Sequence, residues 1–205
     1  MPTPAHHPFP TAVQWSHHLH LPRLRPGMIA IDATAGNGHD ALFLAQHILP
    51  GGRLFIFDIQ SPAIDSTKQR LLDHHIELDA VEFFDSGHQT LSSSVPPSLH
   101  GQISAIMFNL GYLPGGDKSC ITLTENTLDA LQQALAVLAP DGLLTTVVYP
   151  GHDGGREEAS SVETLFSQLS SEYFEVQKLA FLNYRVTTPY LMAVRRKKAH
   201  PVAAG

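Results

Sequence analysis

Three stretches of this chain carry residue types, at spacings, that can do chemistry. The first runs Ile29-Ala30-Ile31-Asp32-Ala33-Thr34-Ala35-Gly36-Asn37-Gly38-His39-Asp40. An apolar run ends on Asp32, a small-residue turn carries two glycines, and a helical pattern begins at His39 or Asp40. Strand, glycine-rich turn and helix, in that order, hold nucleotide-type cofactors in doubly wound α/β folds. Gly36 and Gly38 remove side chains where a ligand must approach the backbone. Gly36-x-Gly38-x-x-Ala41 also fits the relaxed dinucleotide fingerprint, so charge has to decide. A carboxylate on Asp32 would lie near a dinucleotide's pyrophosphate and repel it. S-adenosylmethionine (SAM) brings a sulfonium and an ammonium, and both favour a nearby carboxylate. The stretch predicts a SAM site, with Asp32, Gly36, Asn37, Gly38 and Asp40 around it.

A second apolar run, Arg53 to Asp58, again ends in an acid. Asp58 falls where this kind of fold places the carboxylate that accepts from both ribose hydroxyls. A helix N-cap is the alternative role for a lone Asp at a strand end. Gln60 could reach the sugar or the adenine edge. Asp85-Ser86-Gly87-His88 follows a third strand, and the loop at that place in a SAM fold lies against adenine, which makes Ser86 and His88 candidates beside a purely structural surface role.

The other two stretches lie beyond the fourth and fifth strands, where open α/β sheets bind their ligands. Ile103 to Asn109 is apolar, and a long polar, glycine-bearing loop follows. Asn109-Leu110-Gly111-Tyr112 resembles the Asn-Pro-Pro-Tyr loop of enzymes that methylate amino groups of nucleobases. There an Asn side-chain oxygen and a backbone carbonyl accept the amine's hydrogens and aim its lone pair at the methyl carbon. Tyr112 can stack on a base, and Asp117 completes the loop's polar set. The last stretch, Tyr149-Pro150-Gly151-His152-Asp153-Gly154-Gly155, adds His152. Asn109 orients the amine in this reading; Tyr112, Asp117 and His152 are the candidate proton acceptors.

The elements needed to position these residues are legible as alternating apolar runs and helical patterns. Strands are expected over 28–32, 53–58, 81–84, 103–109 and 143–149, with a closing β-hairpin from 174–182 and 190–195. Helices are expected over 40–48, 61–74, 122–139 and 156–171, and one or two short ones lie within 12–24. Trp15-Ser16-His17-His18 reads as a packed aromatic flanked by solvated histidines, with a lid over the cofactor as the functional alternative. Residues 92–101, with three serines and a Pro-Pro pair, read as a loop. Residues 1–11 are rich in Pro and His and are expected to be poorly ordered.

Composition narrows the class. A chain of 205 residues, 43% hydrophobic, is sized for one domain with a substantial core. No run of about eighteen apolar residues appears, so no membrane span is expected. Nor does Met1 to Pro10 have the pattern of a signal peptide. One cysteine, Cys120, rules out an internal disulfide and suits the cytoplasm. The thirteen histidines are scattered, without His-x-x-x-His spacing, so no metal site is expected. A net charge of −6 opposes general nucleic-acid binding and leaves that task to a local basic patch. Arg195-Arg196-Lys197-Lys198 is such a run, either a solvated tail or a phosphate contact.

Taken together, Asp32 to Asp40, Phe57 to Gln60, the block Asn-Leu-Gly-Tyr-Leu-Pro-Gly-Gly-Asp-Lys over 109–118, and Tyr149 to Gly155 with Glu157-Glu158 resemble one bacterial SAM-dependent methyltransferase family. Its characterised members methylate 5-aminomethyl-2-thiouridine at wobble position 34 of tRNA, giving the 5-methylaminomethyl derivative. The likeness spans nearly the whole chain. It implies a class I SAM-methyltransferase (Rossmann-like) fold: a mostly parallel seven-stranded sheet, helices on both faces and an antiparallel closing strand. It further implies SAM as cofactor, tRNA bound through its anticodon region as partner, and a homodimer by analogy. Asp32, Asn37, Asp58, Gln60 and His88 would line the SAM site, and Asn109, Tyr112, Asp117 and His152 would face the nucleoside. One departure stands out: the family carries a Pro-Pro pair before the last strand, where Thr188-Pro189 keeps a single proline. The competing readings are a methyltransferase for rRNA or a small metabolite, and a non-catalytic SAM- or RNA-binding module. The long polar loop after Asn109 argues against the last.

Overall fold

The computed structural model describes residues 9–111, 124–152 and 154–197. Seven strands form one sheet in the order β3-β2-β1-β4-β5-β7-β6. They are β1 (Ile29–Asp32), β2 (Arg53–Asp58), β3 (Val81–Asp85), β4 (Ile103–Asn109), β5 (Leu138–Val148), β6 (Phe174–Leu179) and β7 (Tyr190–Arg196). All neighbouring pairs from β3 across to β5 are parallel, and β7 is antiparallel to both β5 and β6. The expected hairpin therefore forms, but its second strand inserts between β5 and β6 instead of being added outside them.

Alternation along the strands explains the layers. On β2, Phe55 and Phe57 point into one core with Ile31, Ile106 and Phe108, while Leu54 and Ile56 point into the other with Ala30, Ala105 and Met107. Helices α2 (His39–Ile48) and α3 (Ser61–Asp73) seal the second core through Leu44, Ile48, Ile64 and Leu71. The first core is closed by a short α4 (Leu91–Ser94), α5 (Thr124–Val137) and α6 (Gly155–Ser167), which contribute Leu91, Leu131, Val162 and Phe166. The inner parallel strands β1, β2, β4 and β5 are thus buried on both faces, while the edge strands β3 and β6 are partly exposed.

Three expectations need correcting. Residues 92–101 hold α4 and a 3-10 turn at Pro97–Leu99. The fifth strand begins at Leu138, paired with Ile103; residues 139–142 then loop out before Leu143 pairs with Ala105. Asp141 takes a positive φ of 59° in that excursion, and Pro140 has no N–H to give a ladder.

The third correction concerns histidines and cations. Helix α1 (Ala12–His20) starts with a capping box in which Thr11 and Gln14 bond each other's backbone N–H. It is not ringed by solvated histidines: His17 stacks on Phe43 with centroids 4.1 Å apart, and only His18 of that pair is exposed. Ser16 and His20 are buried and both reach the Thr145 hydroxyl on β5, at 2.8 and 3.0 Å. Arg195 to Lys197 are no solvated tail either. Arg195 pairs with Asp141 at 2.6 Å and with Glu175 at 2.8 Å. Arg196 is buried and donates to the Leu138 carbonyl, and Lys197 donates to the Ser171 carbonyl at 2.9 Å. Because Arg195 lies opposite Leu143, these cations sit at the amino end of β5, away from its ligand-binding end. Lys198 lies outside the described residues.

Candidate active site

The carboxyl ends of β1, β2, β4 and β5 open onto one cavity of about 550 Å³. Backbone-to-side-chain bonds fix its rim. Thr34 N–H donates to Asp32 Oδ1 at 3.1 Å, and Asn109 N–H donates to Thr34 Oγ1 at 2.7 Å, tying the first turn to the end of β4. Asp58 accepts from Gly36 N–H at 3.0 Å on one oxygen and from Gln60 N–H at 2.9 Å on the other. Each carboxylate oxygen keeps further acceptor capacity for a hydroxyl of a ligand. Gly38 serves packing as well as turn geometry: its φ is +76°, and a Cβ there would meet Thr67 Cα of α3 at 2.9 Å.

The carboxylates on the cavity wall are Asp40, Asp58 and Glu158. Asp32 is fully buried behind the turn and does not line the wall. Burial first, and the Asp40 charge next, push its carboxyl well above the usual carboxylate range. Asp40 is 6% exposed, with His17 Nε2 2.6 Å from its Oδ1. Gly36, Asn37 and Gln60 line the cavity; Gly38 and Ser86 stand just behind it, Ser86 bonded to Thr90 Oγ1 at 3.0 Å. His88 lines it edge-on to Phe108, and its Nε2 is buried with no hydrogen-bond partner. Burial lowers the His88 pKa to about 4, so a neutral imidazole faces the ligand space.

The opposite wall is built by β4, β5 and α6. Asn109 and Tyr149 both line it. Burial, then the Asp40 charge, raises the Tyr149 pKa. Glu158 is buried and accepts from Thr127 Oγ1 at 2.7 Å, and burial raises its pKa too. His152 is on the same wall. Gly155 allows the tight turn between them, since a Cβ there would lie 2.5 Å from the Tyr149 carbonyl oxygen. Tyr112 and Asp117 lie outside the described residues.

Tyr149 and Glu158, which the sequence motifs include without assigning them a role, line the cavity, as do Asn126 and Thr187, which sequence reasoning did not single out. Tyr149 had a usable signal, because it directly follows β5, the strand parallel to β4 with Asn109 opposite Val147. Thr187 had none; it arrives from the β6–β7 loop, 32 residues past Gly155, where the nearest motif it joins ends.

The residues suit SAM on the structure's own terms. Asp58 offers acceptors for ribose hydroxyls, Asp40 offers negative charge for a sulfonium and an ammonium, and the orphaned His88 Nε2 needs a partner. Fold and cavity together define a class I SAM-dependent methyltransferase. The family described as "Putative rRNA methylase" matches residues 54–195. A chloroplastic tRNA (mnm(5)s(2)U34)-methyltransferase of Arabidopsis thaliana is 39% identical over 183 residues, 85% of this chain and 65% of that protein. The chain thus spans just under two thirds of that relative's length. Among solved structures, a "putative rRNA-methylase" from Clostridium thermocellum superposes with a TM-score of 0.86 at 35% identity, covering 92% of this chain and 98% of the other. A "putative methyltransferase" from Streptococcus mutans, in complex with SAH, gives 0.81 at 32% identity over 92% and 99%. The chain belongs to this rRNA-methylase family.

Proposed function

We propose that this protein methylates the exocyclic aliphatic amine of 5-aminomethyl-(2-thio)uridine at wobble position 34 of tRNA, giving 5-methylaminomethyl-(2-thio)uridine. The observation that carries the proposal is Asn109 at the end of β4, on the cavity wall it shares with Tyr149 and across the cavity from Asp58. Together with the name of the Arabidopsis relative, it favours a nucleoside amine over an rRNA base or a small metabolite.

Bound SAM supplies an electrophilic methyl carbon on a sulfonium. The chain's residues must do the rest, which is positioning and proton handling. On that wall Asn109 offers its Oδ1 to accept from the amine and aim the lone pair. An alkylammonium has no lone pair, so a proton must leave before transfer. The Tyr149 phenol, its pKa raised by burial and the Asp40 charge, stays protonated on the same wall. Glu158, its carboxyl shifted upward by burial and held by Thr127, joins His152 as an acceptor on this wall. Asp117 and Tyr112 remain acceptors only on the reading of the sequence.

The test is mass spectrometry of nucleosides from position 34 of tRNA in a strain lacking the gene, with single-turnover methylation of that tRNA by purified protein. Accumulation of 5-aminomethyl-2-thiouridine, and its conversion in vitro, is the expected result. Unchanged position 34 nucleosides would overturn it.

A further inference from the structure

We infer that the open shelf between the start of α6 and the β6–β7 loop seats the RNA strand flanking the target nucleotide; this rests on the RNA substrate proposed above. The shelf measures about 460 Å³. It shares Gly151, His152 and Thr187 with the cavity wall, so a strand lying on it runs directly into the site.

Charge singles the shelf out. Among the described residues, Arg156 and Arg185 are the Lys and Arg side chains with neither an ion pair nor a side-chain hydrogen bond; the others are engaged by carboxylates or carbonyls. Arg156 lines the shelf. Arg185 sits in the loop that delivers Thr187, and its carbonyl accepts from Thr188 N–H at 2.9 Å. Both are exposed. Holding such cations without acidic partners on a chain of net charge −6 fits phosphate contact.

The same loop carries ring and apolar surface. Phe181 and Tyr184 stack with centroids 4.6 Å apart, and Tyr184 remains 44% exposed. Leu182 is fully exposed and Val186 is 79% exposed. Unpaired bases stack on aromatic faces and tolerate apolar neighbours, so bases beside the target nucleotide match this loop as phosphates match the arginines. A second copy of this acidic chain is a poorer occupant, since it would cover the route from solvent to the cavity. Among the described residues of the shelf, Glu157 is the one carboxylate, and it works against phosphate there.

Fluorescence anisotropy of an anticodon stem-loop RNA carrying 5-aminomethyluridine, titrated at several salt concentrations, tests this. Arg156→Ala with Arg185→Ala should weaken binding about tenfold and reduce the salt slope by about 1.4, two single-strand phosphate contacts. Tyr184→Ala should weaken binding about tenfold while Tyr184→Phe restores it, and Glu157→Gln should tighten it. SAM affinity by calorimetry should be unchanged in all four, which also shows that they fold. Wild-type affinity and salt slope in the double variant would overturn the shelf while leaving the substrate reading intact. A wild-type dimer that Leu182→Asp dissociates, seen by sedimentation, would overturn it in favour of a second copy. Wild-type protein that binds no stem-loop would remove the RNA reading and the shelf with it.

Discussion

At the amino end of β5, Arg195, Arg196 and Lys197 are each bonded to a carboxylate or a carbonyl, whereas at the carboxyl end Asp32 Oδ2 and His88 Nε2 are buried without partners. An unsatisfied buried polar atom costs about 1–3 kcal/mol. One end of the sheet has its cations closed off by the protein, and the other keeps His88 on the wall of an open cavity, with Asp32 buried behind it. A run of four cations in a sequence is therefore a poor guide to where phosphate binds.

The largest expected effect lies at the open end. Asn109→Ala should leave SAM affinity nearly intact while turnover falls a hundredfold or more, roughly 2.7 kcal/mol of barrier. Single-turnover methylation measures it, and a wild-type rate would take the amine-orienting role from Asn109. Next comes Asp58→Ala, which should weaken SAM by about 1.5–3 kcal/mol, as expected for lost hydrogen bonds to a charged acceptor. Part of that loss would be indirect, because Asp58 also holds the Gly36 and Gln60 backbone. Calorimetry giving the wild-type affinity would remove Asp58 from the site.

This division also marks what the sequence reveals. The inner parallel strands are buried on both faces, so their apolar runs mark them clearly, and Asp58 and Asn109 could be placed by counting to strand ends. Asp32 was placed at its strand end as well, but whether an acid there faces the ligand or lies behind the turn depends on packing by α2. The fate of Arg195 depends on Asp141, which comes close only because residues 139–142 loop out of β5. Thr187 and Glu158 reach the cavity through the insertion of β7 and the pitch of α6. Contacts of that kind have no local signature.

A third test compares the ends through stability. Arg196 is 5% exposed and donates to the carbonyl of Leu138, the first residue of β5, and at 3.5 Å to that of Ala136 in the last turn of α5. A cation there also meets the negative end of the helix dipole. Arg196→Ala should cost about 1–3 kcal/mol in urea unfolding and leave SAM affinity unchanged. A stability loss absent within error would mean that the closed end is not held as described.

Between the ends, His20 ties stability to pH. Burial first, then the His17 and Arg23 charges, lower its pKa to about 3. The unfolded chain takes up the proton near pH 6.5, before the folded one does. Stability is therefore full above that pH and is lost as pH falls toward 3, by roughly 1.4 kcal/mol per pH unit at most. His88, lowered to about 4, adds a slope of the same sign. His20→Gln should flatten the His20 part, read from urea midpoints at pH 7, 6 and 5. An unchanged pH dependence would mean that α1 docks without a neutral His20.

The smallest effect is the one that most directly challenges the comparison. Arg195 and Lys197 meet Glu175 and other acceptors at the surface, where solvent screens ion pairs and each contributes little. Arg195→Ala with Lys197→Ala should lower the thermal midpoint only slightly. If these cations belong to the closed end, their removal should leave anticodon stem-loop affinity and its salt slope as in the wild type. Loss of Arg195 frees Asp141 and Glu175, whose charges would then act on RNA only from the far edge of the sheet. Seven residues of β7 separate that edge from the cavity, about 23 Å of extended chain and more than twice the Debye length at physiological salt. A slope reduced by about 0.7 or more per cation would show that RNA wraps to the amino end of the sheet. The two ends would then form one binding surface, and the basic run read from the sequence would regain the phosphate role that the structure denies it.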